Sequence, residues 1–159
     1  MTQASEAIDG LREAGATVAT AESLTGGLVC ATLVSVPGAS DVVLGGIVAY
    51  SPQAKIDLLG VDSALIASHG TVDSEVAAQL AIGARERFGS TYGLSTTGVA
   101  GPDPSEGKSV GTVHIAVAGP QGVRTTELQL DGDRDTVRKG AVAALLSQLL
   151  VTLREESRS

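Results

Sequence analysis

The chain has 159 residues, a hydrophobic fraction of 43% and a net charge of −7, which fits one folded domain with a real core and excludes a disordered chain. The acidic balance and the small aromatic content (Tyr50, Phe88 and Tyr92, with no tryptophan) argue against nucleic-acid binding, which needs a basic face and benefits from stacking rings. The single cysteine, Cys30, excludes a disulfide framework, and two separated histidines do not predict a metal centre.

The N-terminal segment carries acidic residues and lacks the apolar stretch of a secretory signal. No run reaches the roughly 18 apolar residues of a membrane span. We therefore expect a soluble, cytoplasmic protein that binds neither nucleic acid nor membrane. We expect one domain over residues 1–159, with its core at about 5–152, and no metal or cofactor.

Helices and strands alternate through the first half of the chain. The predicted elements are a helix at 4–14, a strand at 17–22, a helix from 28 that stops before Pro37, a strand at 42–50, and short helices near 52–59 and 63–68. The strand at 42–50 is a continuous apolar run. Such a run is typical of a strand that is covered on both faces.

The second half continues the alternation. The predicted elements are a helix that Asp73 caps and that ends at Gly89, strands at 92–97 and 111–118, a hairpin turn at 119–122, a strand at 123–130, a long helix from about 134, and a frayed end at 154–159. Residues 123–130 alternate between apolar and polar, as an antiparallel edge strand does. The whole pattern predicts an α/β three-layer α/β/α sandwich with a mostly parallel mixed sheet and an antiparallel edge strand.

The first candidate site is the segment AESLTGG, residues 21–27, which follows a predicted strand and opens a helix. Ligands bind at such junctions in α/β sheets, and free N–H groups there favour anions. Ser23 could therefore be a nucleophile, with backbone groups at Thr25, Gly26 and Gly27 as oxyanion donors. The competing interpretation is that Ser23 or Thr25 only caps the helix. The chain contains no P-loop, dinucleotide-binding or G-x-S-x-G motif.

The second candidate site is the segment around Tyr50 and Lys55. Tyr50 ends a predicted strand, so its hydroxyl would emerge at the edge of the sheet. A lysine that is partly desolvated can have its pKa lowered enough to act as a base. Together with Ser23, these residues suggest a Ser–Lys pair in which Tyr50 orients groups or relays a proton. An ordinary surface lysine and a half-buried strand-end tyrosine are the alternatives.

Two further turns contain candidate ligand-binding residues. Thr97 and Gly98 follow a predicted strand, where hydroxyl and amide groups could hold a polar ligand or form a plain turn. The acidic segment from Asp131 lacks the glycine and glutamate that a calcium loop needs at its sixth and twelfth positions. Arg134 and Arg138 lie four residues apart, so on a helix they would share one face and could hold an anion such as phosphate.

These segments together resemble a known family. AESLTGG, GGIVAYSPQAK, STTGVAGPD with VGTV, and GDRDTVR are similar, in this order, to motifs of the CinA C-terminal domain family, over about residues 5–152. The loop at 103–109 is shorter than the family's usual loop and lacks its glycine pair.

The resemblance implies an α/β/α sandwich and a nicotinamide-nucleotide amidase. Such an enzyme converts nicotinamide mononucleotide to nicotinate mononucleotide and ammonia, with Ser23 as nucleophile and Tyr50 and Lys55 as its partners. It also implies a small nucleotide as ligand and a homodimer or other homo-oligomer. A nucleotide-binding or regulatory module that kept the fold without catalysis is the alternative.

Overall fold

A computed structural model describes all 159 residues and contains one open five-stranded sheet. The strands are β1 (Val18–Glu22), β2 (Val43–Val48), β3 (Tyr92–Gly98), β4 (Thr112–Gly119) and β5 (Gly122–Gln129). Their order is β2-β1-β3-β4-β5, with β2, β1 and β3 parallel and with β4 and β5 each antiparallel to the strand before it. The mixed α/β sheet with an antiparallel edge strand is the predicted fold.

Helices cover both faces of this sheet. They are α1 (Gln3–Glu13), α2 (Leu28–Val34), α3 (Pro52–Leu59), α4 (Ser63–His69), α5 (Ser74–Phe88) and α6 (Arg134–Glu156), with a 3₁₀ turn at Ala39–Asp41. The larger apolar cluster joins α1, α2 and α6 to one face, and the α3–α5 layer covers the other. Asp73 caps α5 as predicted, because its carboxylate accepts the N–H groups of Glu75 and Val76.

Small residues bring α5 close to the sheet. Ala77 and Ala81 of α5 form a buried cluster with two alanines of β4. A Cβ atom at Gly93 of β3 would lie 2.0 Å from the Ala81 carbonyl oxygen, so only glycine fits there. The core therefore reaches dense packing without large rings, which accounts for a chain that has few of them.

The prediction that residues 42–50 form a strand covered on both faces is wrong. β2 ends at Val48 and is an edge strand, with Leu44 45% and Val48 48% exposed. The short helix α2 lies over this face, with its Cys30 side chain against Gly46, and covers it only in part. A continuous apolar run shows that both faces of a strand carry apolar residues. It does not show how far the neighbouring elements extend over those faces.

The prediction of a frayed end at 154–159 is also wrong in part, because α6 continues to Glu156. Its last turn is held by the Tyr92 hydroxyl, which donates to Glu156, and by an ion pair between Arg124 and Glu155. By length and composition alone α6 could cross a membrane. In this fold one stripe of the helix, including Leu145 and Leu149, is fully buried in the core.

We predict that Gly93→Ala destabilises the protein by at least about 2 kcal/mol, because the added methyl group must displace backbone of α5. Gly140→Ala is the matched control. It places a methyl group in α6 beside the movable end of Leu130, and it should leave stability unchanged or raise it through better helix propensity. Urea unfolding of the two variants beside the parent measures both effects, and equal losses would contradict this account of α5 packing.

Candidate active site

Ser23 lies directly after β1, at the carboxyl end of the parallel strands. Its N–H donates to the carbonyl oxygen of Thr96 at 3.1 Å, which continues the pairing of β1 with β3 by one residue. The side chain is largely buried and lies in the wall of a cleft of about 400 Å³. Tyr50, Glu106 and Arg134 also line this cleft. The cleft therefore opens at the sheet edge where α/β folds bind ligands.

Lys55 lies in the first turn of α3, which begins at Pro52 and is capped by the side chain of Ser51. This position directs Lys55 inward, and the residue is 1% exposed. Its Nζ atom lies 2.8 Å from Ser23 Oγ, 2.8 Å from the Ala49 carbonyl oxygen and 3.0 Å from the Tyr50 carbonyl oxygen. Burial lowers the pKa of Lys55 from its ordinary value of 10.5 to about 8, and the negative charge of Glu106 opposes this shift.

The three oxygen atoms around Nζ can accept the three N–H groups of the charged amine, and they also suit the neutral form that a general base needs. A neutral amine has two N–H donors and one lone pair. The carbonyl groups of Ala49 and Tyr50 can only accept, so they take the two donors. The lone pair is then left for the third neighbour, the hydroxyl of Ser23, which can donate. The backbone thus orients the lone pair of Lys55 toward the proton of Ser23, as a general base requires.

Tyr50 lies at the rim of the cleft, two residues beyond β2, and is 61% exposed. Its hydroxyl accepts a hydrogen bond from Arg134 at 3.2 Å and makes none with Ser23 or Lys55. The backbone of Tyr50 contacts Lys55, and its side chain turns away. The structure therefore brings Ser23 and Lys55 into contact, while the tyrosine hydroxyl lies with the arginine.

In the turn after Ser23, one backbone N–H group is bonded within the protein and three are not. Gly26 and Gly27 have φ angles of +59° and +104°, which let the chain turn into α2. The N–H of Gly26 is already bonded to the Ser23 carbonyl oxygen, so Gly26 is withdrawn from the predicted oxyanion donors. The N–H groups of Leu24, Thr25 and Gly27 have no partner within the protein. Of these, Leu24 follows the candidate nucleophile directly and lines the cleft. Thr25 is fully buried and Gly27 does not line the cleft, so neither predicted oxyanion donor faces it.

The two arginines of α6 have different surroundings. Arg134 lines the cleft, donates to the Gly101 carbonyl oxygen and to Tyr50, and forms no ion pair. Arg138 lies behind the turn, where Nε and a terminal nitrogen donate to the carbonyl oxygens of Leu24 and Thr25. The predicted pair is therefore not one anion site, because Arg138 is committed to backbone groups and only Arg134 faces the cleft.

The predicted Thr97–Gly98 site is also divided. Gly98 lines the cleft. The Thr97 side chain is buried and donates to the Thr71 carbonyl oxygen at 2.8 Å, so it joins β3 to the segment before α5 instead of facing a ligand. No group of three or more histidine, cysteine or acidic side chains is placed to hold a metal ion.

Comparison with known proteins places the chain in a family. The family model described as the CinA C-terminal domain matches residues 1–153. The chain belongs to the CinA C-terminal domain family. A CinA-like protein of Frankia casuarinae is 52% identical over 86% of the chain, and one of Anaeromyxobacter dehalogenans is 48% identical over 88%. The chain spans 31% and 35% of the length of these two curated relatives.

Solved structures of CinA proteins have the same fold. The crystal structure of competence/damage inducible protein CihA from Agrobacterium tumefaciens has a TM-score of 0.90 at 36% identity, and covers 96% of this chain and 93% of its own. A CinA superfamily protein from Escherichia coli has a TM-score of 0.91 at 32% identity, with coverage of 93% and 87%. The predicted family is therefore confirmed.

Two acidic residues of this CinA domain site were not singled out from the sequence. Glu22 is 1% exposed, and its carboxylate accepts the Thr25 hydroxyl and the N–H groups of Val29 and Cys30 at the start of α2. A carboxylate at the end of an apolar strand was the available signal, because a buried charge needs donors nearby. The other residue is Glu106, whose loop has no helical or strand pattern to place it.

We predict that buried Lys55 makes stability rise with pH. Its pKa is about 8 in the folded protein and 10.5 when unfolded, so the unfolded chain binds more protons between these values and folding is favoured as pH rises through this window. The effect is about 1.4 kcal/mol for each unit by which the pKa is lowered. Urea unfolding at pH 7, 9 and 10.5 should show that the free energy of unfolding of the parent increases with pH relative to that of Lys55→Met, which has no titrating group at this position. A constant difference between the two proteins would contradict a lowered pKa.

Proposed function

We propose that this CinA domain is an amidohydrolase with Ser23 as nucleophile and Lys55 as general base. The observation that carries the proposal is the 2.8 Å contact between Lys55 Nζ and Ser23 Oγ, with two carbonyl groups fixing the direction of the lone pair. A pKa of about 8 leaves a useful fraction of this lysine neutral near pH 7 to 8. A serine that merely caps α2 would need no buried amine at its hydroxyl.

The proposed reaction has two steps. In the first, Ser23 gives its proton to Lys55 as Oγ attacks the carboxamide carbon, and the oxyanion is held by the N–H group of Leu24. Lys55 then returns the proton to the leaving nitrogen, so ammonia departs and an acyl-serine ester remains. In the second step, Lys55 takes a proton from a water molecule that attacks the ester carbon, and it returns this proton to Ser23 Oγ as the carboxylic acid is released. This oxyanion donor would contribute about 3–4 kcal/mol to transition-state stabilisation.

The proposed substrate is nicotinamide mononucleotide, with nicotinate mononucleotide and ammonia as products. The family resemblance supports this choice, and the cleft adds a chemical argument. Arg134 faces the cleft without an acidic partner, and a guanidinium group in this state suits a phosphate. We further propose that the protein acts in the cytoplasm. It would need no metal or cofactor and would bind neither nucleic acid nor membrane. As the family resemblance implies, we also propose that the protein forms a homodimer or other homo-oligomer.

We predict that the purified protein releases ammonia from nicotinamide mononucleotide, and that Ser23→Ala and Lys55→Ala each lower kcat at least about a thousandfold. The rate should rise with pH and level off above about 8, because Lys55 must be neutral to accept the proton. Asp57→Asn, an exposed change on the same helix, is the control and should leave the rate unchanged. A parent protein that binds the nucleotide without releasing ammonia would favour the silent nucleotide-binding module.

A further prediction separates direct proton transfer from a tyrosine relay. The Tyr50 hydroxyl bonds to Arg134 and not to the Ser–Lys pair, so we expect Tyr50→Phe to keep kcat within about tenfold of the parent. Steady-state kinetics at saturating substrate would measure this. A loss in Tyr50→Phe as large as that in Lys55→Ala would assign the relay to Tyr50 and overturn direct transfer.

A further inference from the structure

Glu106 joins the loop between β3 and β4 to the segment before α5. Its carboxylate accepts the N–H of Thr71 at 2.8 and 2.9 Å, the Thr71 hydroxyl at 3.0 and 3.1 Å, and the N–H of Val72 at 3.0 Å. Thr71 is in turn fixed to β3 by the hydroxyl of Thr97. Both Glu106 and Thr71 line the cleft that contains Ser23. The carboxylate therefore holds one wall of the cleft in place.

The backbone is adapted to this contact at both ends. Glu106 has a φ angle of +53° and is the one non-glycine residue with positive φ in the chain. On the other side, a Cβ atom at Gly70 would lie 2.8 Å from a Glu106 carboxylate oxygen, so the contact needs glycine there. An unfavourable backbone conformation persists where the surrounding contacts fix it, often at a functional site.

Resting on the proposed function, we propose that Glu106 is a positioning residue with two roles. It latches the 101–109 loop onto residues 71 and 72 as a wall of the cleft, and it is the electrostatic partner that adjusts the protonation of the general base Lys55. It acts at a distance and not by contact. Glu106 and Ser23 both line the cleft, while Nζ is bonded to Ser23 and to two carbonyl groups and forms no ion pair with Glu106.

The charges around the cleft single out Glu106 for the second role. Against the larger effect of burial, its negative charge raises the pKa of Lys55. Burial acts to raise the pKa of Glu106 itself, but the hydrogen bonds from Thr71 and Val72 outweigh burial and lower this pKa, and the charge of Lys55 adds to them. The other charged groups that line the cleft are Asp103, in the same loop, and Arg134 of α6. Asp103 makes no hydrogen bond or ion pair, and nothing fixes its carboxylate in one place. Glu106 is thus the carboxylate that the fold holds at a set position.

The test is a pH titration of Lys55 by lysine ¹³Cε NMR, beside the pH–rate profile. The chain has three lysines, so each signal is assigned by single substitution. Glu106→Gln keeps the shape and removes the charge. We expect the Lys55 midpoint to fall by about half a unit or more, on the scale of one unit charge across a cleft. The rate midpoint should fall equally, which raises the neutral fraction of Lys55 at pH 7 by about 2.5-fold or more.

Asp103→Asn is the matched control, since it removes a charge from the same loop and should leave the Lys55 midpoint where it is. An unchanged midpoint in Glu106→Gln, or an equal fall in Asp103→Asn, would overturn the electrostatic role. Hydrogen exchange tests the latch. The N–H groups of Thr71 and Val72 should exchange at least tenfold faster in Glu106→Ala, and unchanged exchange would overturn it.

The two readouts also separate this inference from the proposed function. A midpoint that falls in the NMR titration of a protein without amidase activity supports the Glu106–Lys55 coupling and contradicts the amidase. Amidase activity together with an unchanged Lys55 midpoint in Glu106→Gln supports the amidase and contradicts the Glu106–Lys55 coupling.

Discussion

The site depends on one buried amino group that has only uncharged oxygen atoms in contact. Charging Lys55 in this setting is costly, because two carbonyl groups and a hydroxyl replace bulk water and no carboxylate touches Nζ. The fold must bring two separate backbone regions together to satisfy it: the end of β1, and the continuous segment from the end of β2 into the first turn of α3. The lowered pKa follows from that assembly, and so does the direction of the lone pair.

The full charges near the site are directed at backbone groups. Glu22 takes the N–H groups that open α2, and Arg138 takes the carbonyl oxygens of the turn. The carboxylate of Glu22 therefore binds backbone N–H groups next to the Ser23 turn, and the guanidinium of Arg138 binds carbonyl oxygens of the turn. Neither pairs with the other or with Lys55. This arrangement makes the turn rigid while it leaves the amine without a counter-ion in contact.

Much of this could be predicted from the sequence, since periodicity marks helices and strands, and motif spacing placed Ser23 and Lys55 at one sheet edge. What escaped prediction depends on distant neighbours. The exposure of β2 reflects how far α2 extends over it, and the order at the end of α6 reflects contacts with Tyr92 and Arg124. The direction of the Tyr50 hydroxyl and the role of Glu106 are side-chain and loop geometry, which no local pattern encodes.

The clamp of Arg138 on the Ser23 turn has a consequence for the order of assembly. Arg138 is 114 residues along the chain from the Leu24 carbonyl group that it binds. During synthesis, β1, β2 and α3 all leave the ribosome long before α6 does, so the serine and the lysine can meet before their support arrives. Such a distant contact closes late, because its loop entropy must be offset first. The Ser23 turn therefore lacks this clamp in any partly made chain that does not yet contain α6.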